Sequence, residues 1–295
     1  MSRTKGIGIG LALLLVAVVL GGNFLVNRMV RERFDQELAR FKNRLDVHYE
    51  TVRFELWSGK IRAGQVSAST SDGQLKLLAD SVLVRDWKRN SGTGVVTRMG
   101  ISAKDLRVHR RGEKGGWIPK FNGYGYDDPK LGLELDYQYE PETRALVLDR
   151  FKLGGTDLGA LSLQGRMTDV ASVDWSRLGE GLLLQRLAAL GSLKIAGLQM
   201  EYNDFGFLPR VFAQQASASG KTPDDVANQV YAVIESQKSL RLSASMLESI
   251  RKFLNKPDRI ELVMQPAKPF GTTEWSLAVL LGGDLVKLLG VDIRT

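Results

Sequence analysis

A run of 21 residues without a single charge, Gly6 to Val26 (GIGIGLALLLVAVVLGGNFLV), constrains this chain more than any other feature. At ~1.5 Å of rise per helical residue it would reach roughly 30 Å, the thickness of a bilayer's hydrocarbon core. Met1-Ser2-Arg3-Thr4-Lys5 in front of it is short and basic, like the start of a secretory signal. Leu20-Gly21-Gly22-Asn23-Phe24 makes a poor cleavage site, so the expectation is an uncleaved anchor over residues 6–26 behind a cytoplasmic tail over 1–5.

The charges near the span point two ways. Arg28, Arg31, Arg33 and Arg40 after it outnumber Arg3 and Lys5 before it, which by count alone would hold the body inside the cell. Long domains translocate largely regardless of charge, and this is a first hydrophobic segment behind a basic tail. The expectation is therefore a single-pass protein with its body exported. Phe34, Leu38, Phe41 and Leu45 then recur at helical spacing, so residues 27–46 read as an amphipathic juxtamembrane helix. Its basic face suits lipid phosphates, and its apolar stripe equally suits packing on the body.

Beyond Val47 the period changes from helical to alternating. Thr51–Leu56 alternates, Ser58-Gly59-Lys60 turns, and Ile61 begins another run. Ser71-Asp72-Gly73 is followed by Leu75, Leu77, Ala79, Val82 and Val84, with further strand over 95–110. The clearest strand covers 131–139, with Leu131, Leu133, Leu135, Tyr137 and Tyr139 on one face. Pro141-Glu142-Thr143 turns it back into 145–153, and Leu161, Leu163 and Met167 alternate against Ser162, Gln164 and Arg166. Short strands joined by tight turns predict an antiparallel meander over 47–170, and the absence of intervening helices argues against a parallel α/β enzyme fold. An antiparallel sheet with one apolar face needs a cover: a second sheet, helices, or a lipid chain.

Residues 171–295 read as a mixed region. A helix over 173–190 precedes an alternating run over 192–202, with Leu193, Ile195 and Gly197 facing away from Lys194, Ala196 and Leu198. Helices then dominate. Leu208, Val211 and Phe212 open one, and Thr222-Pro223-Asp224-Asp225 starts another with a cap, a proline at the first helical position and acids in the first turn. Ser245-Met246-Leu247-Glu248 has the form of a capping box. Ile260, Leu262 and Met264 make a strand, and Trp275–Leu289 make a last apolar helix, interrupted at Gly282-Gly283. The whole is an α+β chain: an N-terminal transmembrane helix, an antiparallel β-rich body forming an elongated sheet or groove, and a helical C-terminal part.

Composition removes most chemistry. Zero Cys among 295 residues excludes disulfides, a lipoprotein anchor, a thiol nucleophile and Cys-based metal sites. His48 and His109 are far apart, with no nucleophile setting near either. Glu140, Glu142 and Asp136 have nothing to position a partner, and the Gly-rich runs lack the setting of a phosphate loop. The reading is a non-enzyme, with no catalytic residue, metal or cofactor. The +8 net charge is concentrated: residues 85–120 alone carry +7, with Trp87 and Trp117 near the ends. Lys104, Arg107, Arg110, Arg111 and Lys114 are the candidates to meet lipid headgroups. No motif supports nucleic acid as a partner.

The order of segments resembles a family. The anchor, the strand pair Tyr49–Ile61, the run Leu146-Val147-Leu148-Asp149 through Leu161-Ser162-Leu163, and the stretch Leu198–Leu208 with its following helices are similar to AsmA-like and related anchored envelope proteins of Gram-negative bacteria. The resemblance implies an apolar groove facing the periplasm from the inner membrane and a role in lipid transport or envelope upkeep. Leu131, Leu133, Leu135, Tyr137, Tyr139, Leu161, Leu163 and Met167 are the groove candidates. A chain this short would not bridge the periplasm alone. The competing expectation is an anchored scaffold that binds an envelope protein partner through its helical part.

Overall fold

The computed structural model describes residues 31, 32, 35, 45–55, 58–70, 75–92, 96–110, 124–126, 129–170, 193–237, 241–271, 274, 278 and 283–295. The anchor expected over 6–26, most of the expected juxtamembrane helix and the helix expected over 173–190 lie outside them. Among the described residues no helix is long and apolar enough to cross a membrane. The chain divides into two compact units, residues 1–86 with 102–119, and residues 87–101 with 120–295.

In the first unit β3 (Lys60–Thr70) pairs antiparallel with three partners: β1 (Leu45–His48), β2 (Thr51–Glu55) and β4 (Leu75–Arg89). The tight turn at Ser58-Gly59 joins β2 to β3, with Gly59 at φ 63°, a conformation that suits glycine. The register passes from Gly64↔Ser81 to Val66↔Ala79 around Gln65, whose φ is 50°. Asp86 in β4 and Asp105 in β5 (Val96–Arg110) have the same left-handed backbone, so each long strand carries a local irregularity.

The second unit holds a meander with strand order β6-β7-β8-β9-β10-β12. These are β6 (Leu131–Glu140), β7 (Ala145–Gly155), β8 (Gly159–Thr168), β9 (Lys194–Asp204), β10 (Arg259–Met264) and β12 (Val291–Arg294), with β11 (Phe270–Gly271) on the start of β9. Every pairing is antiparallel, as expected. Gly159 permits the β7–β8 turn to lie against β9: its φ is 127°, and a Cβ there would stand 2.5 Å from the Asn203 carbonyl.

Three helices interrupt the meander between β9 and β10: α1 (Phe207–Ser219), α2 (Pro223–Ser236) and α3 (Ala244–Asn255). Thr222 caps α2 as its sequence predicts, accepting from the Asp225 amide while the Asp225 carboxylate accepts from the Thr222 amide. The cap of α3 is corrected. Ser243, not Ser245, lies at the N-cap and accepts from the Met246 amide, and Ser245 falls inside the first turn. The apolar run before β12 is broken where the sequence places its interruption: Gly283 and Asp284 are not helical, and Asp284, with an extended backbone, caps a short helix, α4 (Leu285–Leu289).

The helices carry the described core. Phe212, Ala216, Val226, Ala227, Ile250 and Leu254 bury one another and rest on Ile260 of β10 and Ile293 of β12. Phe253 adds an edge-to-face contact with Tyr202 of β9, 6.2 Å between ring centres.

Candidate functional site: an apolar sheet face

Strand register assembles the candidate site. Four rows of side chains cross the second unit's sheet on one face. The first is Leu133, Leu153, Leu161, Tyr202 and Ile260; the second is Leu135, Phe151, Leu163, Met200, Leu262 and Ile293. The third is Tyr137, Leu148, Gly165, Leu198, Met264 and Val291; the fourth is Tyr139, Leu146, Met167 and Ile195. With strands ~4.8 Å apart, a row over six strands is about 24 Å wide. All eight groove candidates from the sequence lie on this face, Leu131 two residues before Leu133. Every side chain in the rows is part-buried and none reaches the burial of the helical core.

Two irregularities keep the face apolar. In β7 the register shifts between Leu148 and Phe151, so Asp149 and Arg150 together occupy one step and Phe151 returns to the apolar side. In β9 the ladder passes from Gly197 to Ile195 opposite Arg166 and Met167. Ile195 therefore shares a face with Leu198 and Met200. Strict alternation sets Ile195 and Leu198 apart, and this correction has the extra residue as its cause.

The opposite face is ionic. Arg150 pairs with Glu134 at 3.2 Å, Arg166 with Glu140 at 2.6 Å, and Arg259 with Glu201 at 2.7 Å. Hydrogen bonds from Arg166 and Thr143 hold the Glu140 carboxyl below its usual range, and Asn203 with Arg259 does the same for Glu201. On the apolar face, burial raises the Tyr137 hydroxyl's pKa.

One buried carboxylate ties sheet to helices. Asp204 ends β9, and its Oδ1 accepts from the Gly206 amide at 2.8 Å. Its Oδ2 accepts from the Leu208 amide at 3.0 Å and from the Tyr202 hydroxyl at 2.8 Å. Gly206, the N-cap of α1, has no side chain to offer, so a residue two places earlier supplies the cap. Burial, then the hydrogen bond to Asp204, strongly raises the Tyr202 hydroxyl's pKa. Nearby, a cleft of about 300 Å³ is lined by Tyr126, Lys130, Thr156 and Asp157; the Tyr126 hydroxyl donates to the Asp157 carbonyl at 2.7 Å.

The headgroup candidates fare unevenly. Lys104 is exposed, while Arg107 lies 3.8 Å from Asp80 of β4 in the first unit. Arg111, Lys114 and the side chain of Arg110 are outside the described residues. Among the described residues no group of three His, Asp or Glu side chains could hold a metal ion. His48 lies 3.0 Å from Asp46 on the exposed edge strand β1.

Comparison with known proteins adds likeness and names no activity. Residues 152–295, from within β7 to the end, match a family model described as an uncharacterized protein. The whole chain is similar to an uncharacterized protein of Aquifex aeolicus (strain VF5), 24% identical over 307 aligned residues, covering 98% of this chain and 99% of that protein.

Proposed function

We propose that this chain is a membrane-anchored, lipid-binding protein of the bacterial inner membrane with its body in the periplasm. Residues 6–26 serve as the anchor, and the apolar face of β6–β9 holds or shields acyl chains. The reading is of a binding protein, not an enzyme, and it accords with the AsmA-like resemblance. The observation that carries it is the set of cross-strand rows over β6 to β9, apolar and with no fully buried side chain, beside the end of the sheet where the helices rest on Tyr202, Ile260 and Ile293. An ordinary sheet core of this width buries its large residues. Acyl chains gain most from such a surface because apolar area removed from water is worth about 25 cal/mol per Å².

Photo-crosslinking tests it. Benzoylphenylalanine at Leu135 or Leu163 of the full-length chain, irradiated in native membranes, should give lipid adducts by mass spectrometry. The same group at Glu134 or Gln138 on the ionic face should give few. Equal yields from both faces, or adducts to protein alone, would overturn the reading.

A second reading, an anchored scaffold, is favoured by α2, where Val233 is 61% exposed and Val230 37%. In that case Val233→Glu should abolish capture of a protein partner and leave the lipid adducts intact.

A further inference from the structure

The end of the β4–β5 hairpin, in the second unit, combines charge with an exposed aromatic side chain. Trp87, Lys88 and Arg89 are consecutive and all exposed, although alternate residues of a strand usually face opposite ways into different surroundings. Trp87 keeps 46% of its surface accessible. Arg98 on the returning strand is exposed too, β4 and β5 are neighbours in the sheet, and the Thr97 hydroxyl lies 3.5 Å from the Lys88 carbonyl. Asn90 opens the turn by accepting from the Gly92 amide at 2.9 Å. From Asp86 to Ile101 there are three cations and one acid, the exposed Asp86.

We propose that Trp87, Lys88, Arg89 and Arg98 form an interfacial contact for an anionic lipid surface. An indole has an apolar body and one N–H donor, so it is most stable where hydrocarbon meets headgroups. Three cations against the one exposed acid, Asp86, leave the hairpin end net basic and match lipid phosphates in sign. At about fivefold per net positive charge near an anionic leaflet, three cations less one acid favour the contact by roughly 25-fold. A nucleic-acid site would need aromatic side chains in series for stacking, and this hairpin end offers one. The contact differs from the headgroup candidates on the later part of β5, and it stands or falls independently of whether the sheet face takes acyl chains.

The absence of Cys makes the test direct. Ser91→Cys places a sole thiol at the turn for a nitrobenzoxadiazole label, and Ser236→Cys at the end of α2 serves as the reference. The full-length chain is reconstituted in phosphatidylcholine vesicles with or without a quarter of phosphatidylglycerol, and quenching by doxyl-labelled lipid is read. The expected result is quenching at position 91 several-fold stronger in anionic vesicles, abolished by 0.5 M salt and by Lys88→Gln/Arg89→Gln/Arg98→Gln, and weakened by Trp87→Ala. The label at 236 should stay unquenched in every variant, which separates loss of contact from loss of fold. Equal quenching at 91 in both vesicle types, or insensitivity to salt, would overturn the proposal. So would a label that remains aqueous in vesicles while position 91 crosslinks to a protein in cells.

Discussion

The helical layer and the sheet face of the second unit are built from similar residues and end in different states. In the helices, Phe212, Val226, Ile250, Phe253 and Leu254 converge and are buried to 9% exposure or less. On the sheet, Leu135, Phe151, Leu163 and Met200 lie in line and are only part-buried. Helical stripes can turn toward one another around a centre, whereas a single sheet face presents its whole area in one direction and needs a separate cover. Among the described residues the helices meet the sheet at β9, β10 and β12, through Tyr202, Ile260 and Ile293. The difference teaches that apolar content alone does not make a core: what it faces does.

Substitutions can break this contrast. The largest effect is expected at Asp204→Ala, which leaves the Gly206 and Leu208 amides and the Tyr202 hydroxyl without their acceptor. Thermal unfolding of the full chain should show a loss of about 3 kcal/mol, with Asp204→Asn losing less. Ile250→Ala should cost about 2–3 kcal/mol through the cavity it opens, while Leu163→Ala on the part-exposed face should cost about 1 kcal/mol. Equal losses at the two positions would mean that the sheet face is as tightly packed as the helical core.

A pH series sharpens the same comparison. Tyr202 and Tyr137 are held neutral by burial, with folded pKa values above those of the unfolded chain. Their contribution is fully present below the unfolded value of about 10 and is lost as pH rises through the folded value. The melting temperature should therefore fall above about pH 10, less steeply in Tyr202→Phe. The smallest effect belongs to the ionic face. Glu140 and Glu201 have lowered values, so their contribution is present at neutral pH and lost as acid protonates them in the fold. Arg166→Ala, at an exposed pair, should leave the neutral-pH melting temperature within the scatter of measurement and soften only the acid limb.

Much of this architecture is legible in the residues. The alternation in Leu131–Tyr139 and Leu161–Met167 reads the face of β6 and β8 directly, because neither strand is interrupted along those residues. β7 and β9 are not legible in the same way. Asp149-Arg150 and Ala196-Gly197 insert an extra residue, and alternation cannot announce where it slips. Phe151, Leu198 and Met200 are therefore recognisable as site residues only once pairing partners are known. Asp204 escapes for another reason: it caps a helix from two residues before the cap position, and only the absence of a side chain at Gly206 hints that the acceptor must come from elsewhere.

The slipped steps in β7 and β9 have a consequence for how this chain can change in length. Removing Asp149 or Arg150 would make β7 alternate strictly and keep its leucines on their present face, whereas removing a residue elsewhere in the strand would turn part of it over and drive charge into the oily layer. The same deletion in an exposed connection would leave the faces as they are. Changes of one residue should therefore accumulate in related chains between strands and at the two slips, and not elsewhere within the strands.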